Sequence, residues 1–208
     1  MLSLKLIAVV CVGAVGAIGA VVNALWGPRA RARRRLAAGS CAIADHAIVT
    51  LTGTVRAIGE PLVAPLSGRR CVLHSSLGRV FEDTAHNRLF IAIDERVMRP
   101  FELETRDGKV LVDGIEAELA IPRSPLIPRR LEREIEFLEA HNQPRSYLRY
   151  TVFEELVVAS GDRIAVQGMA VVEADRSEAA ERGYRDDAPI RIRLIAHADH
   201  PLTIGRAR

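Results

Sequence analysis

A chain of 208 residues is long enough for one sizeable domain with accessory segments, and it is 49% hydrophobic but only 4% aromatic. Its net charge of +3 is not evenly spread: all 26 acidic residues but only 23 of the 29 basic ones lie beyond residue 39, which leaves that part at −3. A slightly acidic domain with five Phe and three Tyr lacks the basic face and stacking platforms of a nucleic-acid binder, so a nucleic-acid partner is not expected.

Residues 6–26, "LIAVVCVGAVGAIGAVVNALW", form 21 positions without a charge. As a helix rising about 1.5 Å per residue, the run matches the roughly 30 Å hydrocarbon core of a bilayer. It exceeds the apolar core of a signal peptide and ends at Trp26, a residue suited to the membrane interface. Residues 1–27 are therefore expected to be a retained single-pass anchor. Gly13/Ala17 and Gly16/Ala20 are small-xxx-small pairs, so Gly13, Gly16 and Ala20 mark the face through which two such helices would dimerise.

Residues 28–46 read as a basic juxtamembrane linker. Arg29, Arg31, Arg33, Arg34 and Arg35 follow the anchor, against Lys5 before it. The positive-inside rule then places the remaining chain in the cytoplasm, and the arginines would face anionic lipid headgroups. Cys11, Cys41 and Cys71 have no close spacing, which suits a reducing compartment; a Cys41–Cys71 bridge belongs to the opposite topology.

From residue 47 the pattern turns to strands. "AIVTLTGTVRAI" (47–58) is β-branched, with Gly53 at a bulge or bend. Next comes "EPLVAPLSGRRC" (60–71), where prolines stiffen an apolar loop that ends in two arginines. A strand is expected at 70–80, and a hairpin at 99–113 turning at Asp107-Gly108. "RRLEREIEFLEAHN" (129–142) predicts a helix whose apolar face is Leu131, Ile135 and Leu138. Its charged residues form a solvated face, and Asn142 with Pro144 closes it. Residues 149–174 predict two strands joined by Ser160-Gly161-Asp162, with Gly168 relieving crowding at a barrel bend. Residues 175–189 are polar and expected to be a mobile loop before a last strand at 190–198.

The expected fold is mainly β: a small barrel like the oligonucleotide/oligosaccharide-binding (OB) fold, with one inserted helix, over residues 47–208. An open sandwich is the alternative. In the 60–71 loop, Leu62 and Leu66 either cap one barrel end, or Pro65, Gly68, Arg69 and Arg70 form a rigid recognition edge. On the second reading the arginine forks are ready for carboxylate or phosphate.

"LTGTVRAIGEPLVAPLSGRRCVLH", "FELETRDGKVLVD" and "EELVVASGDRIAVQG" occur in that order beside the apolar run. Together they resemble the GIDE-type, or beside-a-membrane, domain over roughly residues 48–170. The resemblance implies a membrane-proximal domain that binds or regulates partners. Relatives with ubiquitin-ligase function carry a zinc RING; no cysteine follows Cys71, so ligase activity does not carry over. In two-helix relatives the domain lies on the non-cytosolic side, which keeps an extracytoplasmic location as the alternative.

Catalytic constellations are sparse. Cys71 and His74, three apart on a strand, point to opposite faces, and Glu154 and Glu155 do likewise. His197 and His200 have no third ligand nearby. The sequence therefore predicts no enzyme, no metal and no cofactor. It predicts a membrane-anchored binding or regulatory domain with lipid and an unidentified protein as partners. An accessory subunit of a membrane enzyme complex is the alternative.

Overall fold

The computed structural model describes residues 27–38, 42–83, 88–114, 116–126, 128–174 and 190–207. The expected anchor with its Gly13, Gly16 and Ala20 face, Cys11, Cys41 and the 175–189 loop lie outside the described residues. Among the described residues no helix is long and apolar enough to cross a membrane.

Five strands close on themselves. β1 (Ile48–Ala57) pairs antiparallel with β6 (Phe101–Thr105), which turns into β7 (Gly108–Asp113). β7 runs parallel to β12 (Ile190–Ile195); β12 pairs with β11 (Arg163–Ala174), and β11 returns to β1. Closure decides for a barrel over a sandwich, and it leaves these strands no bare edge. Alternation drives it: Val49, Leu51 and Val55 of β1, Phe101 and Leu103 of β6 and Val110 and Val112 of β7 all point into one apolar core. Register is continuous through Gly53, so no bulge forms there. Gly53 is instead a close approach, since a Cβ would lie 2.3 Å from the Glu104 carbonyl oxygen.

β13 (Thr203–Arg206) adds to β11, and β8 (Glu118–Leu119) adds to β13. Against them lies α1, Pro28–Ala38. The run expected as a linker is thus helical and docked, with Ala32 fully buried.

A second sheet has the order β5-β4-β10-β9, built from Arg88–Met98, Leu73–Asp83, Thr151–Val158 and Ser124–Pro125. The sequence reading has no counterpart to β5. Its "RLFIAIDERVM" mixes an apolar run with charges and has no turn signal to frame it. Leu156 and Val158 of β10 serve the barrel core, whereas Phe153 joins Leu66, Ile93, Phe137 and Leu138 in a second, smaller core under α2, Leu131–Ala140. The inward face of α2 is rotated from the expected one. Glu134, Phe137 and Leu138 are buried, while Leu131 is 56% exposed. Leu131 precedes the first packed turn, so its spacing matches the apolar stripe without touching the core. The stop is as expected: Asn142 takes a left-handed φ of 56°, and its N–H donates to the Glu139 carbonyl.

Candidate functional site

The 60–71 loop is a short hairpin, β2 (Leu62–Val63) with β3 (Arg70–Cys71), around a tight turn. Gly68 N–H donates to the Ala64 carbonyl at 2.8 Å, and Ala64 N–H to the Arg69 carbonyl at 2.9 Å. Ala64 and Leu66 are fully buried. Leu66 does not cap a barrel end; it plugs the smaller core against Phe137 and Phe153.

What holds the turn lies 88 and 89 residues away in sequence. Glu155 on β10 is 7% exposed and accepts the N–H groups of Leu66 and Ser67, each at 3.0 Å, plus the Ser76 hydroxyl at 3.0 Å. Two backbone donors on one buried carboxylate are strong, charge-assisted bonds. From above, α2 adds Arg133. Its guanidinium packs over Gly68, where a Cβ would lie 2.7 Å from Arg133 Cζ. Gly68 also has φ +69°, a left-handed value that favours glycine. The Arg99 guanidinium donates to the Glu60 carbonyl at the loop's start.

On this fixed base, Arg69 and Arg70 are exposed, and neither guanidinium has a hydrogen-bond or ion-pair partner among the described residues. Pro65 and Gly68 are half-buried and shape the turn beneath them. Val63, opposite Arg70 in the hairpin, is 55% exposed. The structure thus brings Pro65, Gly68, Arg69 and Arg70 together in one element. Sequence reasoning missed Glu155 and Arg133, which immobilise it. A lone carboxylate on the buried register of the apolar strand "TVFEELVV" is the available signal for Glu155.

Beneath the loop the groups are buried and polar. His74 is 4% exposed, with Nδ1 3.4 Å from the Ser76 hydroxyl. Burial holds the His74 imidazole below its ordinary pKa, against the opposing pull of Glu95 and Glu155. Cys71 is a buried free thiol, pushed up to about 11 by burial and by the nearby Glu155 charge. It is a poor nucleophile there, because the thiolate is the reactive form. Glu154 faces the other way and pairs with Arg79 at 3.1 Å. His197 and His200 form an exposed backbone bridge with rings 6.4 Å apart, and no metal-type cluster occurs among the described residues. One acid of α2 departs from the expected solvated face. Glu134 is fully buried and accepts a two-pronged bond from Arg129, with Nε at 3.1 and 3.0 Å from its two oxygens.

The five arginines expected at the membrane surface divide. Arg29, Arg31, Arg33 and Arg34 are exposed on α1. Arg33 reaches the Ala120 carbonyl at 3.4 Å, and Arg35 pairs with Glu118 at 3.0 Å. Those two engage the protein's own surface.

No protein-family model and no solved structure matches the chain. It is 29% identical over 161 residues to the histidine ammonia-lyases of two Bacillus cereus strains, G9842 and B4264. The aligned stretch covers 76% of this chain and 27% of each enzyme, so the chain spans about a quarter of the length of these relatives. This likeness to enzymes overturns the expectation of a chain that is not an enzyme. That expectation rested on the absence of known catalytic motifs, which is a weaker argument than a measured similarity.

Proposed function

We propose that the chain presents an OB-like barrel beside a membrane and that the 60–71 hairpin is its recognition edge for a protein partner bearing carboxylate or phosphate groups. One observation carries this reading: two exposed, unpaired guanidiniums stand on a loop that a buried carboxylate, a buried leucine and an overlying arginine hold still. A preorganised loop loses little conformational freedom on binding, and arginine forks match planar anions in two-point contacts. The OB-like assignment is supported by five strands closing into a barrel, with α2 inserted between β7 and β11. The membrane location is supported by the uncharged 6–26 run with arginines behind it and by the resemblance to the GIDE-type domain.

The test is capture from solubilised membranes with the full chain and with an Arg69→Ala/Arg70→Ala variant. The variant should lose the partners that wild type retains. Equal recovery removes the edge. Vesicles of phosphatidylserine serve as the lipid arm, and a reporter fused after Arg208 fixes the side of the membrane.

The likeness to histidine ammonia-lyases supports a second reading, in which the chain acts on histidine. Ammonia release from L-histidine by the purified chain, above that of a heat-treated control, supports it; a rate equal to the control removes it.

A further inference from the structure

The docking of α1 leaves a cleft of about 620 Å³ between that helix and the outer wall of the barrel. Its size lies within the roughly 300–1,000 Å³ typical of small-molecule sites. The cleft is apart from the 60–71 hairpin, none of whose residues lines it.

Its walls are fixed by three links. Gln167, 5% exposed on β11, donates its side-chain amide to the Arg35 carbonyl at 2.5 Å and to the Thr50 hydroxyl at 3.1 Å. Arg35 pairs with Glu118 of β8. Leu36 seats over Gly205, where a Cβ would lie 2.3 Å from its Cδ1. The lining is mostly apolar, with Leu36, Ile121, Pro122 and Ala165 among it, and its charged members among the described residues are Arg33 and Arg206. Both guanidiniums are exposed. Arg33 keeps its Nε toward the Ala120 carbonyl; among the described residues neither its other N–H groups nor the Arg206 side chain has a partner.

An apolar trough with two cations, and no acid among the described lining residues, complements one kind of ligand: an apolar tail ending in an anion. We propose that this cleft binds a long-chain fatty carboxylate, its tail against Leu36 and Ala165 and its carboxylate between Arg33 and Arg206. Arg33, expected to meet lipid headgroups, would then hold a headgroup within the protein's own cleft. The guanidinium fork supplies the two-point contact that a carboxylate accepts. The desolvated tail supplies most of the affinity.

The probe is a diazirine-bearing palmitate, photo-crosslinked to the full chain in phosphatidylcholine nanodiscs and mapped by peptide mass spectrometry. The label is expected on the peptides carrying Leu36 and Ile121. Unlabelled palmitate should displace it, while hexadecanol, with the same tail and no charge, and acetate, with the charge and no tail, should not. Thr52→Trp, at an exposed cleft position, should cut labelling at least tenfold by filling the space. Arg33→Gln/Arg206→Gln, a change confined to exposed side chains, should cut it about tenfold and keeps the test valid if the Trp variant fails to fold. Wild-type labelling in the double variant overturns the proposal, as does displacement by hexadecanol equal to that by palmitate.

Discussion

The barrel and the layer under α2 bury their side chains by different means. The barrel core is a continuous set of aliphatic residues with Phe101, lined up by strand alternation. Among the described residues, the cluster under α2 holds five buried apolar residues, and Leu77 and Val80 of β4 are buried as well. Yet six of the eight buried polar or charged side chains among the described residues lie on β4, β10 and α2: His74, Ser75, Ser76, Thr151, Glu155 and Glu134. Ser75, for example, accepts Arg123 Nη2 at 2.7 Å. Volume and area specify the first region, and directional bonds specify the second. Apolar packing tolerates pH, whereas the buried His74 imidazole and Cys71 thiol do not. The recognition edge proposed above hangs from the region that is more easily disturbed.

The largest expected effect separates the two by truncation. Phe101→Ala should cost about 3–5 kcal/mol in urea unfolding and expose barrel and layer amides together in hydrogen exchange. Phe137→Ala should free the layer amides while those of Val166 stay protected. Simultaneous loss in the second variant would mean the regions fold as one unit.

Alkali should strain the layer next. The unfolded Cys71 thiol ionises near 9.0 and the folded one near 11, so stability falls as pH rises through that window. The drop is about 2–3 kcal/mol. Cys71→Ala should lack this part of the slope.

Glu155→Gln should cost about 1–3 kcal/mol, since a neutral amide accepts the Leu66 and Ser67 N–H groups less strongly. Faster exchange at those two amides, with barrel amides unchanged, is the signature. In acid the sign reverses. Burial lowers the folded His74 pKa, so below pH 6.5 the unfolded chain binds the proton more readily and stability falls. Melting scans from pH 7.5 to 5 should show a shallower loss for His74→Gln than for wild type. Smallest of all, Arg69→Ala/Arg70→Ala should change stability by under about 0.5 kcal/mol, because both side chains are exposed. A larger change would make them structural and weaken the proposed edge.

Much of the barrel was legible because its signals are local. The β6–β7 hairpin shows as alternation about a turn, although the structure turns at Arg106-Asp107 and starts β7 at Gly108. The β10–β11 turn shows as Ser160-Gly161-Asp162, where Asp162 accepts the Ala159 N–H at 2.8 Å. Gly168 is also where expected, with a Cβ position 3.0 Å from the Ile195 carbonyl. The α2 face was misjudged because charge was equated with exposure, whereas Glu134 is buried through its bond to Arg129. The docking of α1 was hidden because an arginine-rich helix has no apolar stripe to announce it.

For the candidate site, sequence alone determined the stiff prolines and the paired arginines, since these follow from residue identity and the conformational limits of proline. Only the tertiary structure decided that the loop is locked. Its clamp, Glu155, comes from a strand far along the chain, and a bond across 89 residues leaves no periodic trace in either segment. The same holds for the cleft behind α1, whose two arginines stand 173 positions apart in sequence and meet one cavity because β13 pairs with β11 and α1 docks against both.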